Sequence, residues 1–301
     1  MRKAISLFFV LGIFLSACGT VSTQPASPAQ TGTPAITPTA THTPTATITP
    51  LPTLLIDDQE SYVKEFLEGN TDCRLPCWWG ITPGKTSWQD SETLLRHLGA
   101  TIKQFQSETG GYNYGVLLRG LPELVFSFYD NGAPNSIVDK IFVSGNKGGG
   151  QDQREFEIFW ESYSPKEVMT KYGIPSRILL DTLGTLGNTD MGKHGYTVWI
   201  FYDSLGFMIR YDGFIADEDT FRFCFNLNQG ANDIDHIELT LQHQGYAFPL
   251  ESGDSILSTY PTRGIPIQNV ANISVEEFHQ LFTQVEQPYC LETPHDIWPT
   301  R

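Results

Sequence analysis

The chain has 301 residues, and its 34 acidic residues against 19 Lys and Arg give it a net charge of −15 at pH 7. Such an excess of negative charge repels the phosphates of nucleic acids and of anionic lipid headgroups. Nucleic-acid binding is therefore excluded as the expected function.

The N-terminus has the three parts of a secretory signal. Arg2 and Lys3 precede an apolar run, which ends at residues 15–18 with the sequence Leu-Ser-Ala-Cys. The apolar run is shorter than the roughly 20 residues that a membrane-crossing helix needs. Two alternatives to a lipidated leader are a transmembrane helix and an ordinary signal peptide that is cut at Ala17.

Residues 15–18 resemble the lipobox of bacterial lipoproteins. The resemblance implies that residues 1–17 are a signal peptide, that cleavage occurs before Cys18, and that the thiol of Cys18 receives a diacylglyceryl group. Two acyl chains hold a protein firmly on a membrane. We therefore expect a lipid-anchored protein on the extracytoplasmic face of the cell membrane. The leader holds two basic residues and no acidic one, so the mature chain has a net charge of −17.

Residues 18–56 are predicted to be the lipidated cysteine and a disordered stalk. Residues 21–53 consist mainly of Thr, Pro, Ala and Ser, with seven prolines and no charged residue. Such a composition cannot form a core and favours extended polyproline II conformations. Fully extended, at about 3.1 Å per residue, the stalk spans on the order of 100 Å. Residues 57–301 are the predicted folded domain.

Four further cysteines indicate two disulfide bonds in an exported protein. The four allow three pairings, of which we predict Cys73 with Cys77 and Cys224 with Cys290. A zinc site needs Cys-x-x-Cys pairs or histidines close by, and the first pair has neither. We therefore expect no metal and no cofactor.

The folded part begins with a predicted helix at residues 57–69, which has apolar residues at helical spacing and a Gly-Asn stop. Residues 200–211 are typical of a hairpin, and residues 221–225 of a further strand. Apolar and polar residues alternate over 237–242, which predicts a strand with one face in water. A capping box starts a C-terminal helix at about 274–287.

Between these elements the sequence repeats itself. A helix that ends at Leu98-Gly99 has a counterpart that ends at Tyr172-Gly173, displaced by 74 residues. The segment Phe128-Tyr129-Asp130 has a counterpart at 201–203, displaced by 73. Similar blocks in the same order indicate two similar units, at about 76–150 and 160–245, of which the second has about twenty extra residues before its last strand.

Residues 83–86, Pro-Gly-Lys-Thr, precede the first of these helices and a set of predicted antiparallel strands. This pattern resembles the SmpA/OmlA (BamE-like) lipoprotein module, as does the segment at 164–176. Two such units in tandem are similar to the arrangement of the beta-lactamase inhibitor protein, and the resemblance covers most of residues 80–245. It implies an α+β fold of two similar helix-plus-antiparallel-sheet units, with the helices packed on one face of the sheet. It also implies binding of protein partners rather than catalysis.

Trp78 and Trp79 follow the first cysteine pair directly. A disulfide loop that presents two indoles can form a contact platform for a sugar or a protein, because tryptophan is favoured at binding hot spots. The alternative is that both side chains fill the open end of the sheet beside the first helix. In the first of these interpretations, Trp78 and Trp79 are candidate ligand-binding residues.

Two other segments suggest chemistry. Asp233, Asp235, His236 and Glu238 could form a metal site or an acid–base pair, and His236 and Glu238 share one face of a strand. The simpler interpretation, which we favour, is a solvated strand face. Residues 80–86 are one residue too short for a phosphate-binding loop and predict a turn with Thr86 or Ser87 as the cap of a helix.

No residue is assigned a catalytic role, because the chain has neither a nucleophile elbow nor a zinc-binding helix motif. The predicted function is a non-enzymatic binding module that engages an envelope protein or an extracellular ligand. The alternative is an envelope hydrolase whose site assembles only in three dimensions, with His236 or His194 beside a carboxylate.

Overall fold

A computed structural model of this chain describes residues 54–70, 73–106, 111–118, 124–130, 136–147, 153–183, 194–215, 220–224, 234–246, 248, 264–284 and 290–294. The helices in these ranges are α1 (Ile56–Gly69), α2 (Trp88–His97), α3 (Gln153–Trp160), α4 (Pro165–Tyr172), α5 (Ile267–Ala271) and α6 (Val275–Gln284). The first strands are β1 (Thr101–Gln106), β2 (Tyr112–Leu117), β3 (Leu124–Asp130), β4 (Val138–Asn146) and β5 (Arg177–Leu183). The others are β6 (His194–Tyr202), β7 (Phe207–Ile215), β8 (Thr220–Cys224), β9 (Ile234–Gln242), β10 (Ile265–Pro266) and β11 (Cys290–Pro294).

The fold is α+β and is built on a large antiparallel sheet. Nine strands pair in the order β1-β2-β3-β4-β9-β7-β6-β5-β10, and every neighbouring pair is antiparallel. The other two strands, β8 and β11, form a separate two-stranded sheet. The predicted strand at 221–225 is therefore present, but it lies outside the main sheet.

The centre of the main sheet is the pairing of β4 with β9. Its register runs from Lys140 opposite Gln242 to Asn146 opposite His236. Four strands lie on the β4 side and five on the β9 side, with β9 inserted between β4 and β7. Strands that are far apart in the chain therefore meet in the middle of the sheet.

Alternate residues of each strand contribute to one hydrophobic cluster, together with side chains from the helices. Ile141 and Leu241 face each other across the central pair, and both are fully buried. The same cluster includes Leu95 of α2 and Phe278 of α6. We call the side of the sheet that these strand residues line the core face.

The opposite side of the sheet, which we call the polar face, has a different composition. Its residues alternate with those of the core face and include Ser144, Glu238, Arg210 and Thr197. Towards β5 the polar face becomes apolar, where a second small cluster forms. That cluster consists of Leu179, Trp199, Phe201 and Phe248, with Met208 packed against it.

Local sequence signals determine where the helices begin and end. Ser87 caps α2 by accepting a hydrogen bond from the backbone N–H of Asp90, at 3.1 Å. Ser164 caps α4, in which Pro165 occupies the first turn. Ser274 and Glu277 form the predicted reciprocal capping box. The predicted starts of α2 and α6 are confirmed.

One prediction about a strand is wrong. The alternation over 237–242 predicts that one face of β9 lies in water, but Glu238 and Thr240 are both buried on the polar face. The local pattern gave the direction of each side chain correctly and could not indicate what covers it.

Candidate functional site

The polar face carries a charged network at its centre. Register places Asn146, His236, Asp212 and Thr197 in one row across four strands. A neighbouring row holds Ser144, Glu238 and Arg210. These rows bring together ionisable groups that are widely separated in sequence.

Arg210 is the centre of this network. Its Nε donates to Asp212 Oδ1 at 2.9 Å, and its second terminal nitrogen lies 2.9 Å from Asp212 Oδ2. Its first terminal nitrogen lies 3.4 Å from Glu238 Oε2. Thr197 donates its hydroxyl to Asp212 Oδ1 at 2.6 Å. One guanidinium therefore contacts two carboxylates, and the bidentate pair with Asp212 fixes its orientation.

Glu238 and His236 are the two groups whose protonation the site perturbs most. Burial raises the pKa of Glu238 to about 7, while Arg210 opposes the rise and Asp212 adds to it. Burial lowers the pKa of His236 from its usual value, while Asp212 opposes this shift and Arg210 adds to it. Near neutral pH the carboxyl group therefore exchanges its proton readily, and the imidazole is neutral.

The geometry brings these two side chains close together. His236 Nε2 lies 3.9 Å from Glu238 Oε2, and Nδ1 lies 2.6 Å from Asn146 Oδ1. Nε2 is buried and has no hydrogen-bond partner within the described ranges. The prediction that His236 and Glu238 share one face of a strand is confirmed. The prediction that this face is solvated is wrong, because Glu238 is buried. Asp233 lies outside the described residues.

The site does not have the composition of a metal centre. No group of three or more His, Cys, Asp and Glu side chains in the part of the chain that the structure describes could hold a metal ion. The Arg210 guanidinium instead provides the positive charge beside both carboxylates. The network is therefore an acid–base and ion-pair arrangement.

Trp78 and Trp79 do not form a contact platform. Their side chains are 0% and 2% exposed. The Trp79 ring lies 5.7 Å from that of Phe66 in α1 and 5.0 Å from that of Phe126 in β3, and the Trp78 ring lies 5.4 Å from that of Tyr163. The proposed ligand-binding role of both indoles is wrong, because they fill the core beside the first helix.

The disulfide loop that precedes the two tryptophans is held in place by Asn70. Cys73 and Cys77 are bonded as predicted. The Asn70 amide donates to the carbonyl groups of Cys73 and Cys77, at 2.7 and 2.9 Å, and its oxygen accepts from the backbone N–H of Trp79 at 2.8 Å. Sequence reasoning had identified Asn70 only as a helix stop.

The second predicted cysteine pair agrees with the strand register. Cys290 is disulfide-bonded. It stands directly opposite Cys224 in the antiparallel pair of β11 and β8. The pairing of β11 with β8 ties the last described strand back to a segment that follows β7.

The two edges of the main sheet differ. At one edge, β10 has two residues and ends at Pro266. At the other edge, β1 has six residues, contains no proline, and pairs only with β2 among the described strands. Phe105 of β1 and Leu117 of β2, both on the polar face, are 55% and 45% exposed. The β1 edge is long and carries apolar side chains in water.

Other predicted features lie outside the described residues. These are the leader at 1–17, Cys18 and the stalk as far as residue 53. His194 is the first residue of β6, and the structure does not describe its side chain. Within the described ranges, no helix has the length and the apolar character that crossing a membrane requires.

No family model matches this sequence, and comparisons with curated proteins and with solved structures find no significant match. The functional conclusion therefore depends on the geometry of the chain itself.

Proposed function

We propose that this protein is an exported, lipid-anchored binding module without enzymatic activity, and that it engages another envelope protein through strand addition at β1. The observation that carries the proposal is the difference between the two edges of the sheet. β10 is short and ends in proline, two features that protect an edge from further pairing. β1 has neither feature.

The exposed side chains support the same edge. A strand that adds to β1 gains main-chain hydrogen bonds along its length. On the polar face it also gains apolar contact with Phe105 and Leu117. Lys103 is the one charged residue of β1, and it favours a partner segment with an acidic residue opposite it.

We further propose that the sheet is made of two similar units, each with one helix before a four-stranded meander. The element order supports this proposal, since α2 precedes β1 to β4, and α4 precedes β5, β6, β7 and β9. The two meanders meet at their last strands, β4 and β9. In this proposal the helices cover the core face, and the β1 edge is left for partners.

Site-specific photo-crosslinking in the intact envelope tests the strand-addition proposal. We expect a photoreactive phenylalanine analogue in place of Phe105 to give a discrete adduct with one protein. The same analogue in place of Ile174, an apolar residue that is similarly exposed but distant in sequence from β1, serves as the matched control and gives none. Adducts of equal yield from both positions, or none from position 105, contradict the proposal.

The alternative function is an envelope hydrolase, and the His236–Glu238 pair favours it. A carboxyl group with a pKa of about 7 lies 3.9 Å from a neutral imidazole, so the pair has the composition of a general acid and base. A panel of ester, glycoside and peptide substrates tests this alternative. Turnover that is lost in both Glu238→Gln and His236→Asn supports the hydrolase, and turnover that survives both variants rejects this site.

A further inference from the structure

A groove of about 480 Å³ lies beside the disulfide loop. Its walls come from that loop, from the turn that precedes α2, from the last residues of α4, and from the loops after β6 and β9. The volume falls within the range of pockets that bind small molecules. The groove is separate from both the charged network and the β1 edge, because it shares no residue with either.

The charges in this groove differ from those of the chain as a whole. Arg74, Lys85 and Lys171 line it, and no lining residue is acidic. The chain has 34 acidic residues and 19 basic ones, so three cations without a carboxylate form a local reversal of charge. The three come from separate segments of the chain, and only the fold brings them together.

No carboxylate among the described residues neutralises these cations. None of the three forms an ion pair with any carboxylate in the described residues. The Arg74 guanidinium carbon lies 5.9 Å from the ring centroid of Tyr172, and Lys171 Nζ lies 5.7 Å from the same centroid. Like charges that lie near one ring repel each other, and a bound anion relieves this repulsion.

The groove wall is also held rigidly before any ligand arrives. The backbone N–H of Leu75 donates to the Tyr172 hydroxyl at 3.0 Å, and Arg74 donates to the carbonyl oxygen of Lys171 at 3.2 Å. The disulfide and the Asn70 amide fix the remainder of the loop. A preorganised wall loses less conformational entropy when a ligand binds.

We propose that this groove binds a small saccharide that carries a phosphate or carboxylate group. The cations receive the oxyanion, because charge-assisted hydrogen bonds to such groups are roughly twice as strong as neutral ones. The Thr82 hydroxyl and the Gln244 amide, which also line the groove, can both donate and accept hydrogen bonds. They are suited to the sugar hydroxyl groups. The proposal is independent of strand addition at β1.

Calorimetric titration of the full chain in detergent tests the proposal. The probes are glucose 1-phosphate, glucuronate, glucose and inorganic phosphate. We expect saturable binding of one of the two anionic sugars, which identifies the preferred oxyanion, and affinity for it that falls as salt rises. We expect glucose and inorganic phosphate to bind at least about tenfold more weakly, because each offers only one of the two kinds of contact.

Charge variants distinguish this groove from general attraction to the surface. We expect Lys85→Gln and Lys171→Gln each to weaken binding about fivefold. The matched control is Lys166→Gln, which removes one exposed charge from the same helix as Lys171 without touching the groove, and we expect no change. Absence of saturable binding, equal affinity for inorganic phosphate, or equal losses in all three variants overturns the proposal. All three lysines are exposed, so the variants are expected to fold.

Discussion

Asn70 connects the end of α1 to the disulfide loop through one buried side chain. It adopts the left-handed conformation, with φ of 46°, and makes three hydrogen bonds to the backbone of the loop and of Trp79. Asparagine tolerates this conformation better than other non-glycine residues. The same side chain therefore both ends a helix and shapes one wall of the groove.

We expect Asn70→Ala to lower the free energy of unfolding by about 3 kcal/mol, at about 1 kcal/mol for each hydrogen bond lost. The matched control is Asn272→Ala, because Asn272 is also left-handed, with φ of 52°, but is exposed at the end of α5. Urea denaturation of both variants gives the comparison. Equal losses would show that backbone conformation, and not the hydrogen bonds, causes the effect.

Glu238 makes stability depend on pH in a direction that is unusual for a carboxyl group. Burial raises its pKa from the ordinary 4.5 to about 7, so the folded state holds a proton that the unfolded chain releases. The contribution of Glu238 to the free energy of unfolding is therefore largest below about pH 4.5 and is lost as pH rises to about 7. His236 has a lowered pKa and acts in the opposite direction, losing stability as pH falls below its ordinary value.

Comparison with Glu238→Gln isolates the carboxyl group, because both proteins retain His236. We expect the stability advantage of the unmodified protein over the variant to fall by about 3 kcal/mol between about pH 4 and about pH 8. Thermal unfolding at several pH values measures this difference. A difference that does not vary with pH contradicts the assigned pKa.

At the scale of elements, α3 packs against β4 without space for an added methyl group. A Cβ on Gly145 would lie 2.6 Å from Trp160 Nε1, and that indole is fully buried and cannot move aside. A Cβ on Gly115 of β2 would lie 3.4 Å from Phe105, whose exposed ring can shift. The same substitution therefore meets different surroundings on two strands of one sheet.

We expect Gly145→Ala to cost about 1–3 kcal/mol of stability through overpacking. Gly115→Ala is expected to be neutral, or stabilising by up to about 1 kcal/mol, because alanine restricts the unfolded chain. Calorimetric melting temperatures of the two variants test this pair. If both melt like the unmodified protein, α3 is not packed on β4 as described.

The elements also show what sequence could predict. Helix starts at Ser87 and Ser274 depend on groups within three residues, so their local signals were sufficient. The burial of Glu238 and of Trp78 depends on contacts made from distant parts of the chain. Period-two alternation gives the direction of a strand side chain, but it carries no information about what lies above it.

Most of the candidate sites could not be predicted from the sequence, because their residues come from distant parts of the chain. Arg210 reaches Glu238 only because β7 pairs with β9. The groove cations Arg74 and Lys171 are 97 positions apart and meet beside one ring. His236 and Glu238 are two positions apart on one strand, so the strand pattern alone predicted that they share a face.

At the scale of the whole molecule, attachment to the membrane is proposed to depend on one thiol. We expect Cys18→Ser to shift the protein from the detergent-extracted membrane fraction to the soluble fraction, because two acyl chains provide the anchor. Ser22→Ala, a nearby change that keeps Cys18, serves as the control and is expected to remain in the membrane fraction. Immunoblots of the fractions test this, and a Cys18→Ser protein that stays in the membrane with an unchanged molecular weight rejects lipidation as the anchor.

The insertion of β9 between β4 and β7 also governs how this sheet can assemble. Until residue 242 has emerged, both β4 and β7 have an unpaired edge, and no earlier described strand fills the gap. Closing it requires contacts between residues nearly 100 positions apart, which slows folding. Exposed edges of this kind are prone to aggregation. A chain that emerges from its N-terminus therefore presents two half-sheets with exposed edges, and the arrival of a single late strand joins them into one sheet.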